Sequence, residues 1–237
     1  MEDILIVKNV SVEGPGLLQG ILEEQRISFK VVDLENGEKP PDPSVFKGIV
    51  VLGGPDSAND QTDKILAELD FIKKTIKLNI PYLGICLGLQ LLVKACGGEV
   101  FKNPIKEIGL RDPEGDLFQV FLTPDGKKDK LFEGLADNLV VFQLHGETVS
   151  LVDDMTLLAI GSYCRDQVVR VGRNAYGIQC HFELTPEMFE AWATNDIELA
   201  KLDKRELLKD FEIIKEEYLY TGKKLLNNFL KVAGFNV

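Results

Sequence analysis

Histidine is scarce in this chain: His145 and His181 are the only two among 237 residues. Cysteine is nearly as sparse, and Cys86, Cys96, Cys164 and Cys180 contain no C-x-x-C pair. A structural zinc site needs several such ligands at close spacing, so no metal is expected, and no cofactor signature takes its place. Four free thiols in a reducing cytosol are the default, most of them buried as small apolar residues. No apolar run approaches the roughly 18 residues needed to span a bilayer. The start, Met1-Glu2-Asp3, places acidic residues where a secretory leader needs basic ones, and a cytoplasmic location is expected. Basic clusters are missing too. The 27 Lys+Arg against 38 Asp+Glu leave a formal charge of −11 and no basic stripe, so nucleic acid and membrane surfaces are poor partners.

What is present reads as an ordinary globular chain, 45% hydrophobic and 27% charged, long enough for one sizeable core. Ile4–Val7, Phe29–Leu34, Gly48–Leu52 and Ile80–Ile85 read as strands. Gly16–Arg26, residues 62–78 and a segment ending near Gly97-Gly98 carry helical spacing. The order β-α-β-β-α-β-α, with strands apolar throughout, predicts an open, mostly parallel, doubly wound α/β sheet buried on both faces. From Glu99 to Cys180 the runs shorten. Leu117–Leu122, Leu139–Leu144, Thr156–Ile160, Val168–Val171 and Gly177–Cys180 predict a mixed or antiparallel extension of the same sheet. Pro186 opens a helical tail in which Asp203–Tyr220 mixes charge with Leu207, Leu208, Phe211 and Ile214. The expectation is a single domain over 1–237, with a core of 1–185 and a helical appendage of 186–237.

The informative segment is Gly84-Ile85-Cys86-Leu87-Gly88-Leu89-Gln90. A reactive residue with glycine two positions before and after it, between a buried strand and a helix, meets the requirements of a nucleophile elbow. The turn exposes the sulfur near the positive end of a helix dipole, which favours the thiolate. By itself the pattern fits a core cysteine equally well. A second segment, Gly177-Ile178-Gln179-Cys180-His181-Phe182-Glu183, supplies a histidine and an acid two residues apart, which on a strand face the same way. Glu183 can then hold one ring nitrogen of His181 while the other addresses a thiol.

These two segments resemble the nucleophile motif and the G-x-Q-x-H-x-E motif of the class I (triad) glutamine amidotransferases, whose sheet is flavodoxin-like. Gly53-Gly54-Pro55 resembles the family's oxyanion loop, and Gln143–Val149 the segment bordering its glutamine pocket. The likeness covers roughly residues 1–185, and the whole chain looks most like stand-alone GMP-synthase-like members. Two positions depart from the pattern: Phe182 stands where proline is commonest, and Leu144 where many relatives have a small polar residue.

The resemblance implies that Cys86 attacks the glutamine side-chain amide and that His181, oriented by Glu183, passes a proton to the departing ammonia. The backbone N–H groups of Gly54 and Leu87 would form the oxyanion hole, and Gln90, Leu144, His145 and Gly146 would border the substrate. Gln90, one turn into the helix, can point its amide at the same mouth or stay half-exposed; His145 can belong to the pocket or to loop packing. Cys96, Cys164 and Cys180, with Trp192, Phe189 and Met188, are expected to serve packing. The chain has no S-G-G-x-D-S loop and no G-x-x-x-x-G-K-[ST], so a synthetase that used the ammonia would be a separate polypeptide. A γ-glutamyl peptidase using the same triad, and a non-catalytic regulatory protein, are the alternatives. The helical tail from Glu187 can cover the sheet edge or make a subunit contact, so a homo-oligomer is also compatible with the sequence.

Overall fold

The computed structural model describes residues 3–237, so Met1 and Glu2 of the acidic start lie outside the described residues. The first half follows the expected order: β1 (Ile4–Lys8), α1 (Leu17–Glu24), β2 (Phe29–Asp33), β3 (Gly48–Val51), α2 (Asp63–Lys77), β4 (Tyr82–Ile85) and α3 (Leu87–Ala95). Then come β5 (Glu99–Gly109), β6 (Gln119–Leu122), β7 (Asn138–Val140), β8 (Gln143–Ser150), β9 (Met155–Gly161), β10 (Asp166–Val171) and β11 (Ala175–Ile178). Two helices close the chain, α4 (Pro186–Asn195) and α5 (Lys204–Val232). The main sheet has nine strands in the order β2-β1-β3-β4-β11-β10-β9-β6-β7. The first five run parallel, and the rest extend the sheet antiparallel from β11.

The uniformly apolar strands are explained by two cores, one on each face. Ile4, Ile6, Val50, Leu52, Leu83 and Ile85 point into a core covered by α1 and α5. Leu5, Val7, Ile49, Val51 and Tyr82 alternate with them into a second core beneath α2 and α3. Period-2 alternation thus serves two apolar faces, which is why these strands carry no polar stripe. α2 starts where Thr62 accepts a hydrogen bond from Ile65 N, with Asp63 in its first turn and Lys74 and Lys77 in its last. α5 is capped by Asp203 and runs past Tyr220 to Val232, placing Leu225, Leu226, Phe229 and Leu230 in the first core.

Two sequence expectations need correction, and one strand went unforeseen. Leu139–Leu144 is not one strand: the chain leaves β7 after Val140, turns at the buried Val141 and Phe142, and enters β8. β8 belongs to a separate two-stranded sheet with β5, so the region is not wholly an extension of the main sheet. β5 carries no strand signal in the sequence because Glu99–Gly109 contains Pro104 and few apolar residues, and its pairing has an irregularity between Lys102 and Glu107.

Glu68 lies on the buried side of α2. One carboxyl oxygen accepts from Asn9 Nδ2 at 3.1 Å, and the other has no partner among the described residues. Burial pushes its pKa up to about 7, against the opposing pulls of Asn9 and Lys64. Between pH 4.5 and 7 the unfolded chain loses this proton while the folded protein keeps it, so stability falls as pH rises and stays lowered above 7. The difference corresponds to about 3 kcal/mol. Glu68→Gln is expected to remove this slope, giving a gain of about 1–3 kcal/mol in urea unfolding at pH 8 and little gain near pH 4.

Candidate active site

The site is built where β4 and β11 end side by side. Their parallel register pairs Gly84 with Gly177 and Ile85 with Ile178, and Cys86 N–H donates to Ile178 O at 2.7 Å. Two motifs more than 90 residues apart in sequence are thereby brought together at the carboxyl end of β4 and of β11, in the middle of the sheet. α3 lies close across β3, β4 and β11, and the glycines permit it. A Cβ on Gly84 would sit 2.2 Å from Gly88 O, one on Gly88 2.3 Å from Val51 O, and one on Gly177 2.3 Å from Leu89 Cδ1. Tyr82 OH donates to Gly88 O at 2.8 Å and fixes the first turn. Gly88→Ala, whose added carbon meets backbone that cannot yield, is expected to cost about 3 kcal/mol in chemical denaturation.

Cys86 turns the chain at φ 52° and ψ −105°, a conformation costing about 1–3 kcal/mol for a side-chain-bearing residue. It precedes the first residue of α3, so its sulfur lies at the helix N-terminus, and Leu87 N–H is among those without an intrahelical acceptor. Gln179 Nε2 lies 3.7 Å from the sulfur, and Leu144 O 3.8 Å.

His181 and Glu183 lie beyond the end of β11, not within a strand as expected. The antiparallel bridge of His181 with Phe142, through a 2.8 Å bond to Phe142 O, continues the path. The expected pairing nonetheless forms: His181 Nδ1 meets Glu183 Oε1 at 2.7 Å. Glu183 Oε2 accepts Phe182 N–H at 2.9 Å, a donor that a proline at 182 would lack. Tyr218 OH from α5 donates to His181 O at 3.0 Å. Beyond the Cys86 thiol, the buried His181 Nε2 has no hydrogen-bond partner among the described residues. Burial alone would lower the His181 pKa, but the Glu183 charge and hydrogen bonds to Cys86 and Glu183 outweigh it and hold the imidazole well above its ordinary value.

A cavity of about 450 Å³, within the usual range for small-ligand sites, is lined by Cys86, His181, Gly54, Gln90, Leu144, His145 and Gly146. Leu87 contributes no side chain to it and is buried, so only its backbone can take part. Gly54 has a steric reason beyond substrate approach: a Cβ there would meet Asn9 Cβ at 2.6 Å. Gln90 is buried, not half-exposed. Its Nε2 lies 3.3 Å from Gln179 Oε1 and 3.4 Å from Glu147 O, so it belongs to a chain of amides ending at the sulfur.

His145 faces inward from β8, its Nε2 2.8 Å from Glu107 Oε2 and its Nδ1 2.9 Å from Glu147 O. Both ring nitrogens are thus occupied by the protein. Gln167 Nε2 also reaches Glu107, at 2.8 Å. Cys164 lies near this pair and shares a 3.1 Å contact with Thr148 Oγ1; burial pushes its thiol up to about 12. Cys180 is buried in the first core, and Cys96 is half-buried at the end of α3.

Three neighbours of the site go beyond what the sequence indicates. Trp192 packs its indole edge-on to His181, with ring centroids 5.2 Å apart, so its packing role falls on the site itself. Gln179 belongs to the second motif, but the pattern by itself gives it no task. Glu13, on the loop between β1 and α1, lines the cavity; burial pushes its pKa up to about 7, with Glu183 and Asp196 adding to the rise and His181 opposing it. The histidine–acid spacing pointed to the pair, but no local pattern marks a loop acid that reaches the cavity through tertiary packing.

Fold and site together define an open α/β protein with a cysteine on a strand-to-helix elbow, facing a buried histidine–glutamate pair. The family model "Glutamine amidotransferase class-I" matches residues 17–197, and the chain belongs to that family. It is 33% identical over 156 residues to the glutamine amidotransferase-like protein YfeJ of Salmonella typhimurium, covering 64% of this chain and 62% of that protein. The match therefore spans less than two thirds of that relative's length. A glutamine-hydrolyzing GMP synthase subunit of Sulfolobus acidocaldarius is 32% identical over 163 residues, 66% of this chain and 80% of that protein. Gamma-glutamyl peptidase 4 of Arabidopsis thaliana is 32% identical over 163 residues, 68% of this chain and 62% of that protein. A crystal structure of a glutamine amidotransferase from Thermotoga maritima superposes with a TM-score of 0.85 at 29% identity, over 97% of this chain and 98% of that one. Among the described residues no helix is long and apolar enough to cross a membrane.

Proposed function

We propose that this protein hydrolyses the side-chain amide of glutamine to glutamate and ammonia through a γ-glutamyl thioester on Cys86. The observation carrying this reading is the placement of the Cys86 elbow and His181, braced by Glu183, at one cavity. The Cys86 sulfur attacks the amide carbon, and the negative oxygen that develops is met by the N–H groups of Leu87 and Gly54. Losing one such donor typically costs about 2.7–4 kcal/mol of transition-state stabilisation. His181 Nε2 gives its proton to the leaving nitrogen, then takes one from the water that cleaves the thioester. Gln90 and the Leu144–Gly146 segment border the glutamine backbone groups.

Residues 1–185 act as the catalytic core of one domain. The appendage 186–237 braces the histidine through Trp192 and Tyr218. The ammonia goes to a separate synthetase in the cytoplasm, a reading supported by the likeness to a GMP synthase subunit.

The test is covalent labelling by an electrophilic glutamine analogue, alongside an assay of ammonia released from glutamine. A single adduct on Cys86 with measurable ammonia is expected; an unlabelled Cys86 with no ammonia would overturn the reading. The second reading, hydrolysis of another γ-glutamyl amide, is favoured by the likeness to a γ-glutamyl peptidase. It predicts faster cleavage of a γ-glutamyl dipeptide or amine than of glutamine in the same assay.

A further inference from the structure

A second cavity, of about 970 Å³, shares no lining residue with the one at Cys86. Three segments meet there: the loop after β6, the turn between β10 and β11, and the last turns of α5. Asn174 of that turn stands immediately before β11, and its O accepts Tyr82 N–H of β4 at 3.1 Å. The cavity therefore sits at the amino ends of the two strands whose carboxyl ends lead to Cys86 and His181. Its rim is pinned in place, because Asn228 Nδ2 of α5 donates to Leu131 O at 3.0 Å and to Glu133 O at 2.9 Å.

The walls carry Lys127, Lys128, Lys130, Arg170, Arg173 and Lys231 against Asp129, Glu133 and Asp137. In a chain of formal charge −11, one concavity thus holds an excess of three positive charges. Two of the carboxylates are already engaged. Asp137 pairs with Lys127, and the buried Asp129 accepts Arg170 Nη1 at 2.6 Å and Tyr176 OH at 3.1 Å. These contacts orient the Arg170 guanidinium, whose Nε has no partner among the described residues. The side chains of Lys128, Lys130, Arg173 and Lys231 make no ion pair or hydrogen bond among the described residues either. Four cations without counter-charges around one cavity repel one another, and a concave wall concentrates their field.

We propose that this cavity is a binding site for a small ligand bearing a diphosphate group, held by Arg173, Lys231, Lys128 and Lys130 beside Arg170. A phosphate monoester carries about −1.5 to −2 at neutral pH, so two linked phosphates match the excess charge where one carboxylate or one phosphate does not. Guanidinium forks fit phosphate oxygens in pairs, and lysines add point charge. The ligand is a small molecule and not a nucleic acid or a membrane. A macromolecular polyanion would also meet the acidic surface outside the cavity, whereas a small ligand within it feels mainly the cations inside a Debye length of about 8 Å. The site lies at the far end of β4 and β11 from the sulfur, so it serves binding and takes no part in the Cys86 chemistry.

The test is calorimetric titration of the full chain with inorganic pyrophosphate, a nucleoside diphosphate and citrate at matched ionic strength, in wild type, Arg173→Gln, Lys231→Gln and Lys73→Gln. Lys73 is an exposed lysine of α2 outside the cavity, so its variant changes net charge equally and leaves the site alone. Pyrophosphate is expected to bind wild type about tenfold more tightly than citrate, and Arg173→Gln and Lys231→Gln are each expected to weaken it about fivefold. Both side chains are exposed and unpaired, so melting curves should show folded variants. Tighter binding of the nucleoside diphosphate supports the proposal with an organic diphosphate as the source; tighter binding of pyrophosphate supports it with an inorganic one. No binding at about 1 mM pyrophosphate, equal binding of citrate, or an equal loss in Lys73→Gln would overturn it. Because the readout is binding, none of these outcomes depends on whether Cys86 acts on glutamine.

Discussion

Replacing Cys86 by serine is expected to lower ammonia release from glutamine by about 10³-fold or more, because nucleophile and base act as a unit. The substitution leaves the elbow standing. Gly84 and Gly88 still allow α3 to lie against β4, and the backbone N–H of residue 86 still donates to Ile178 O. What changes is the acidity of the attacking atom. The Glu183 charge raises the His181 pKa well above its ordinary value despite burial, which suits a thiolate–imidazolium pair at the N-terminus of α3. A serine hydroxyl is far too weak an acid to form the corresponding alkoxide there. Steady-state ammonia assays with a melting curve as control check the result; a variant retaining more than about a tenth of the rate would remove Cys86 as nucleophile.

Replacing Glu183 by glutamine is expected to lower the rate by about 10⁴-fold, the scale seen when the orienting acid of a triad is lost. Glu183 uses both oxygens as acceptors, one for His181 Nδ1–H and one for Phe182 N–H. A glutamine can accept at only one of these points and must turn an NH₂ group toward the other. If it faces His181, the ring keeps its proton on Nε2 and can no longer act as base. The change also reaches stability. With its folded pKa raised, His181 contributes stability that is fully present below its ordinary value of 6.5 and lost as pH rises through the folded value. Glu183→Gln removes the charge that raises it, leaving burial to dominate. Urea unfolding is therefore expected to show a larger deficit at pH 6 than at pH 9; an equal deficit would mean that Glu183 acts by packing alone.

Much of this arrangement was legible in the residues. Apolar strands without a polar stripe required burial on both faces, and the two cores supply it. The G-x-C-x-G spacing required a close helix crossing, and the contacts a Cβ would make at Gly84 and Gly88 give the reason. The His181–Glu183 spacing led to a real pairing, although the geometry that makes it is a bridge to Phe142 beyond β11, not a strand. Leu139–Leu144 misled because Val141 and Phe142 are apolar for a different purpose: they are buried at the turn where the chain passes between sheets.

By itself the sequence determined the elements with a local cause: which strands are two-faced, where helices start, and which cysteine stands on a turn that only glycines allow. The tertiary structure decided whatever depends on distant segments meeting. It set Trp192 against His181, joined Gln90 to the sulfur through Gln179, paired His145 with Glu107, and brought Glu13 to the cavity mouth. It also gathered Lys127, Lys128, Lys130, Arg170, Arg173 and Lys231 around one cavity in an acidic chain that shows no basic stripe along its sequence. The physical reason is range. Periodicity and steric demand act over a few residues and leave a mark in the chain, whereas charge and packing act through space between residues whose separation in sequence carries no signal.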